Sequence, residues 1–407
     1  MKILKTDYGL RYILCPLKVD YTSISAVVLY GMLDESKPEV AHTLEHMLFG
    51  GTNKLNHKSI KDKFDRLSPF SYNASTETDM LTVYTLPVKS KAIETVDLLA
   101  DILKNTSVPP EILENEKRAV DLEVEDIRGD ASSLILPDVY REMFSDDLAE
   151  HFKIATQKQI YSITRDEILK DYKRFFVPEN IVFTAYGGFK EHEMENAINK
   201  GFADLKKGNR NNGALEIKPR GHSRELEMDL PGTLNHRFYM FMPGPVYSVK
   251  NIMEREALVV ASGVLQKRFY DSLRGEGGLV YTVEAGVSSY LRFGEVSVYT
   301  ESSKAHLGEV KRRINSEIQK IHDGEITKDE IVEEVTRITD SMLIKKYTAP
   351  TDSGIALGSL YLASGDAESV RRYGIPEKIH MDDVRAASSK YFDLGKAVTM
   401  DVFDKNQ

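Results

Sequence analysis

The sequence predicts an α+β protein made of two similar halves, each a mostly antiparallel sheet packed with long helices. Three observations point there. The chain has 407 residues, which at roughly 150 residues per domain suits two or three domains or one duplicated unit. Short β-branched and aromatic runs are interspersed with long amphipathic stretches, an order that suits helices laid on an antiparallel sheet. The halves also end alike. Ile163 to Leu169, Tyr172 to Phe176 and Ile181 to Tyr186 read as helix, aromatic knob, loop and strand. Ile379 to Val384, Lys390 to Phe392 and Ala397 to Phe403 read the same way roughly 216 residues later, with a chance match of a generic helix-strand pattern as the alternative.

Element by element, Arg11 to Cys15 and Ile24 to Tyr30 read as strands, followed by a turn through Gly31, Asp34 and Pro38. From Val40 to Phe49 the apolar residues recur with a 3.6 period, and Gly50-Gly51 ends that helix. Met80 to Tyr84 reads as a strand, then Lys89 to Lys104 as a helix, then a helix opening at Pro109-Pro110 and running to Gly129. The polar run Lys206 to Gly213 is the best linker, giving domains at 1–208 and 222–407 joined by 209–221. Beyond it come strands Arg224 to Leu230 and His236 to Met242, and a helix from Ile252 to Leu273. The glycine cluster Arg274 to Gly278 leads into strands Leu279 to Val283 and Glu295 to Tyr299. Helices then follow over Leu307 to His322, Lys328 to Lys346 and Ile355 to Ser364. A dinucleotide fingerprint follows a strand and opens a helix, whereas this cluster ends a helix, so nucleotide binding is not expected.

Composition narrows the function classes. With 41% hydrophobic and 29% charged residues the chain is ordinary globular material. A net charge of -9 offers no basic surface for nucleic acid. Cys15, the one cysteine, lies in an apolar strand and reads as a buried thiol suited to a reducing cytoplasm. No export segment or membrane span is expected: the apolar run Ile24 to Tyr30 is far short of the roughly 20 residues a span needs.

The sharpest feature is His42-Thr-Leu-Glu45-His46. On a helix the two histidines lie about 40° apart and one turn apart, so both imidazoles reach one metal ion. Glu45 projects about 60° to the other side of His42, near enough to address a metal-bound water, which is the layout of an inverted zinc motif. Given ten histidines, chance supplies this arrangement roughly 0.02 times. A polar helix face is the bland alternative. A third ligand is expected from the acidic helix Glu111 to Asp126, where Glu116 and Glu123 are seven residues apart and share one face, while Glu114 and Glu125 point elsewhere. Spacing alone does not choose between them. The other histidines, at 57, 151, 192, 222, 236, 306, 322 and 380, read as surface or packing residues.

Together with Glu123 and Glu116, this motif resembles the pitrilysin/insulinase family of inverzincin metallopeptidases, most closely its short branch of mitochondrial processing peptidases and bacterial relatives. Other segments agree: Met47 to Thr52, Asn73-Ala74-Ser75-Thr76 with Asp79, and Leu273-Arg274 with Gly278 to Tyr281. The chain departs from the family at Pro38 to Ala41, where a glycine-rich approach is usual, and over Asp146 to Lys153, which lacks the usual proline and glycine pattern. The resemblance implies an internal duplication. It implies zinc held by His42, His46 and Glu123, with Glu45 as general base and Glu116 receiving a ligand imidazole's other N–H. It also implies that Asn73 and Ala74 lie on an edge strand that an extended peptide joins, and that Arg274 and Tyr281 reach the substrate backbone and the developing oxyanion.

The expected function is therefore a zinc-dependent endopeptidase for short or unstructured peptides. Because both elements lie in one chain, a homodimer is expected, with a heterodimer with a related chain as the alternative. The competing readings are a non-catalytic core or partner subunit of a heteromeric complex and a maturation protease dedicated to one small peptide.

Overall fold

A computed structural model describes residues 1–406 except 214, 216, 249, 250, 276 and 373–378. Glu276 of the glycine cluster and positions 214 and 216 of the expected linker thus lie outside the described residues. The strands are β1 (Lys2–Lys5), β2 (Arg11–Pro16), β3 (Thr22–Val28), β4 (Tyr72–Thr76), β5 (Leu81–Thr85), β6 (Ile181–Gly187), β7 (Arg224–Asp229), β8 (His236–Pro243), β9 (Val280–Ser289), β10 (Gly294–Ser302) and β11 (Val398–Phe403). The first-half helices are α1 (Val40–Leu48), α2 (His57–Leu67), α3 (Ala92–Asn105), α4 (Pro110–Ile127), α5 (Ala131–Met143), α6 (Asp146–His151), α7 (Gln157–Tyr161), α8 (Arg165–Phe175) and α9 (Glu191–Phe202). The second half adds α10 (Ile252–Phe269), α11 (Leu307–His322), α12 (Lys328–Thr348), α13 (Pro350–Ser364), α14 (Ala367–Arg372) and α15 (Met381–Tyr391).

The duplication is visible in the sheets. One has the order β1-β2-β6-β3-β5-β4 and the other β7-β11-β8-β10-β9. Setting β1 aside, the two orders correspond strand for strand. In each, the first strand pairs in parallel with the last in sequence, β2 with β6 and β7 with β11, and the other pairings are antiparallel. The matching segments at the ends of the two halves become α8 with β6 and α15 with β11.

Each sheet has its own core, and two compact units result. The first comprises Met1–Asp126, Ala155–Ala214 and Leu343–Tyr373, and the second Ile127–Ile154, Leu215–Met342 and Gly374–Gln407. A contiguous division at 209–221 is thus crossed by two helical segments that pack with the other half's sheet. The cause is a sheet face that local sequence leaves bare. β3 is buried along its whole length, and α13 lies across it and β6. Contact there is close: a Cβ on Gly358 would sit 3.0 Å from Val27 Cγ2 and 3.2 Å from Thr184 Oγ1. The last carbonyls of α13 are met by cations, Arg11 Nη1 donating to Tyr361 O at 3.2 Å and Arg210 Nη2 to Leu362 O. Arg210 belongs to the polar run read as a linker, so that run is pinned to the first unit. In the second unit α5 lies against β7, β8 and β11, and Tyr140, Phe144 and Phe152 surround Phe293 with ring centroids 5.4, 5.3 and 6.2 Å away.

The fold adds elements that the sequence reading did not name, β1, α2, α5, α7, α9 and α14, and others differ in detail. Asn73 to Tyr84 folds as a hairpin, in which β4 forms the sheet edge and β5 lies inside it. The helix from Ile252 ends at Phe269, and 270–275 continue as a π-helical turn. Asp146 to His151 is the short helix α6. Cys15 is buried, and burial pushes its thiol up to about 11. Among the described residues no helix is long and apolar enough to cross a membrane.

Candidate metal centre

α1 is a nine-residue helix with one buried side and one chemical side. Val40, Ala41, Leu44, Met47 and Leu48 are buried in the first core, which turns His42, Glu45 and His46 to the opposite face at the spacing the 3.6 period dictates. α4 is built the same way. Leu113, Val120 and Val124 enter the interior, leaving Glu116 and Glu123 on a shared neighbouring face. Glu114 pairs instead with Lys117 Nζ, at 2.7 Å.

The two helices bring three donors together. His42 Nε2 is 3.1 Å and His46 Nε2 3.7 Å from Glu123 Oε2, the imidazole centroids are 5.0 Å apart, and the ligand atoms of His42, His46 and Glu123 all lie within 4.8 Å of one another. Among the described residues this is the one such group of three or more metal-ligating side chains. Spacing leaves the two glutamates equivalent, but the fold places them differently. Glu123 meets both Nε2 atoms, while Glu116 lies behind His46, its Oε2 2.9 Å from Nδ1. A carboxylate only accepts, so Nδ1 of His46 carries a proton, and Nε2 is the nitrogen turned to Glu123.

This donor set fits a divalent cation. Tetrahedral zinc with bonds of about 2.0–2.2 Å holds its ligand atoms roughly 3.4 Å apart, and three protein donors leave a fourth position open. The electrostatics agree. Burial alone would lower the basicity of His42, but the hydrogen bond and charge of Glu39, with the charges of Glu45 and Glu123, outweigh it and raise His42 to about 9. The carboxylates gathered around His42 make this a site for positive charge. Glu45 faces further acidity, since burial and then the charge of Glu45 push the Glu77 carboxyl up.

Two residues that sequence reasoning passed over sit at the start of α1. Glu39 Oε2 is 2.9 Å from His42 Nδ1, and the Glu35 carboxylate accepts from the backbone N–H of Glu39 at 3.2 Å and of Ala41 at 2.9 Å. Burial pushes Glu35 up to about 8 against those two hydrogen bonds. The available signal was the i,i+3 spacing of Glu39 and His42.

The remaining expected site residues divide between the units. β4 carries Asn73, exposed, and Ala74, buried. It is the edge strand and packs beside α1, with Thr76 Oγ1 donating to Ala41 O at 3.4 Å. Arg274 and Tyr281 belong to the second unit. Arg274, in the π-helical turn, has its guanidinium 5.4 Å from the ring centroids of both Tyr270 and Tyr281, and Tyr281 is 81% exposed on the edge strand β9.

Comparison with known proteins places this geometry in context. The family model for insulinase (peptidase family M16) matches residues 20–153, and that for the peptidase M16 inactive domain matches residues 162–338. An uncharacterized zinc protease of Rickettsia felis is 22% identical over 384 residues, covering 92% of this chain and 90% of that one. A probable mitochondrial-processing peptidase subunit beta of Arabidopsis thaliana is 24% identical over 165 residues, 40% of this chain and 31% of that one. A protease from Helicobacter pylori shares the fold with a TM-score of 0.86 at 16% identity, covering 99% of each chain. The periplasmic protease PqqL of Escherichia coli does so with a TM-score of 0.80 at 16% identity, over all of this chain and 48% of its own.

Proposed function

The chain belongs to the pitrilysin/insulinase family of zinc peptidases, family M16, and on that premise we propose that it is a zinc-dependent endopeptidase acting on short or unstructured peptides. The observation that carries this reading is the convergence of His42, His46 and Glu123 on one point, with Glu45 on the same helix face and the edge strand β4 alongside.

The cofactor is Zn2+, the metal in the names of several relatives. Held by His42, His46 and Glu123, zinc would acidify a water and polarise a scissile carbonyl. The chain's own residues do the rest. Glu45 takes the proton of the attacking water on a carboxylate oxygen and returns it to the departing amine nitrogen. Glu116 holds His46 by its Nδ1–H, so the imidazole neither rotates nor changes tautomer. At β4 an extended peptide adds to the open side of the strand. Main-chain hydrogen bonds at Asn73 and Ala74 give affinity, and only an unfolded segment fits. Arg274 and Tyr281 are assigned to the substrate backbone on the family resemblance. Since one chain carries both sets, a homodimer is part of the proposal, and a reducing cytoplasm suits the single buried thiol.

The test is mass spectrometry of a mixed pool of unstructured peptides incubated with the zinc-loaded protein and with Glu45→Gln. The expected outcome is cleavage by the parent and a loss of at least about 10³ in rate in the variant, with zinc retained at one per chain in both. Zinc bound at one per chain with no cleavage by either protein would overturn the reading of a peptidase for unstructured peptides in general and favour both the non-catalytic partner subunit and the maturation protease dedicated to one small peptide.

A further inference from the structure

We propose that Glu39 is a positioning residue of the metal centre: its carboxylate accepts the Nδ1–H of His42 and holds that imidazole with Nε2 turned to Glu123 and His46, so that Nε2 is the nitrogen that gives up its proton to a metal. This rests on the reading of His42, His46 and Glu123 as the metal ligands.

Three features of the start of α1 lead to it. The backbone of Glu39 is left-handed, with φ 70, and among the described residues only Val108 shares a positive φ without being glycine. A glycine would adopt this conformation without steric cost, so the glutamate is kept there against a local preference. Nor is the side chain needed to start the helix. Glu39 occupies the N-cap position but makes no side-chain cap hydrogen bond, and the exposed backbone donors of Glu39 and Ala41 are taken by Glu35. What its carboxylate does make is the 2.9 Å contact with His42 Nδ1. Its environment is enclosed, with the side chains of Glu39 and His42 only 22% and 20% exposed, so water competes poorly for that hydrogen bond.

The wiring repeats at the neighbouring ligand. His46 Nδ1 is held by Glu116 at 2.9 Å and His42 Nδ1 by Glu39 at 2.9 Å. Each imidazole therefore has its distal nitrogen fixed by one carboxylate, and both Nε2 atoms turn to a third, Glu123. Such outer carboxylates set ring orientation and raise ligand basicity, and their loss typically costs 10–100-fold in metal affinity.

The experiment measures zinc affinity of the full-length protein by chelator competition, with thermal unfolding of the metal-free form, for the parent, Glu39→Gly, Glu39→Gln and His42→Ala. Glu39→Gly relieves the backbone and deletes the carboxylate. It is expected to unfold at or above the parent's temperature and yet bind zinc about 10–100-fold more weakly. Glu39→Gln, whose amide oxygen still accepts the Nδ1–H, is expected to recover part of that affinity, and the Nδ1–H of His42, observed by ¹H–¹⁵N NMR, is expected to persist in it and to be lost in Glu39→Gly. Parent-like zinc affinity in Glu39→Gly would overturn the proposal. So would a loss of affinity matched by lost metal-free stability in both Glu39 variants, which is what a merely structural residue would give. If the parent does not bind one zinc per chain, or His42→Ala binds as tightly as the parent, it is the ligand reading itself that has failed.

Discussion

Glu295 lies on β10 at 6% exposure with Oε2 unpartnered. Burial pushes its carboxyl up to about 7, against the Tyr140 hydroxyl, which pulls it down. The unfolded chain releases this proton near the ordinary value of 4.5, so between about pH 4.5 and 7 the folded state binds more protons and stability falls as pH rises. Above pH 7 the cost is complete. Glu295→Gln is expected to flatten this slope and to be about 1–3 kcal/mol more stable than the parent at pH 8 but not at pH 4.5. Urea unfolding at the two pH values measures it, and an unchanged difference between them would refute the assignment. Sequence could not single out this carboxylate, because its burial is tertiary and the Tyr140 hydroxyl that meets it lies more than a hundred residues away. The histidine motif was legible for the opposite reason, since His42, Glu45 and His46 share one short helix and local geometry fixes their relation.

At the scale of elements, α1 was legible because a periodic apolar face and a chemical face cannot both be satisfied in another conformation. α2 was not foreseen. It is largely polar, and only Ile60, Phe64 and Leu67 are buried to anchor it. The hairpin of β4 and β5 shows where pattern reading runs out: the apolar alternation marks β5, whereas β4 is polar and its place at the sheet edge depends on partners from elsewhere in the chain. α13 offers a quantitative check. A Cβ on Gly354 would meet Ser25 Oγ at 3.5 Å, an ordinary contact, whereas Gly358 has Val27 Cγ2 at 3.0 Å. Gly354→Ala is therefore expected to stabilise by up to about 1 kcal/mol through helix propensity, and Gly358→Val to destabilise by about 1–3 kcal/mol through overpacking. Chemical denaturation distinguishes them, and equal effects would contradict the packing described.

For the whole molecule, the reciprocal placement of α5 and α13 means that a contiguous half is an incomplete unit. A fragment of residues 1–208 lacks α13 and uncovers the faces of β3 and β6 that α13 covers. Such a fragment is expected to bind a hydrophobic dye and to unfold without a sharp transition, and a peptide spanning residues 343–373 is expected to restore cooperativity. A sharp transition in the fragment alone would show that the exchanged helix is dispensable. The sequence by itself determined the α+β class, the duplication and the placing of His42 and His46 one turn apart on a helix, because helix period, strand composition and i,i+4 spacing are local properties of a chain. Tertiary structure alone decided that Glu123 rather than Glu116 meets both Nε2 atoms, that Glu39 backs His42, and that each sheet is covered by a helix from the other half. Each of these depends on which faces meet across long stretches of chain, and burial of apolar surface settles that without leaving a local mark.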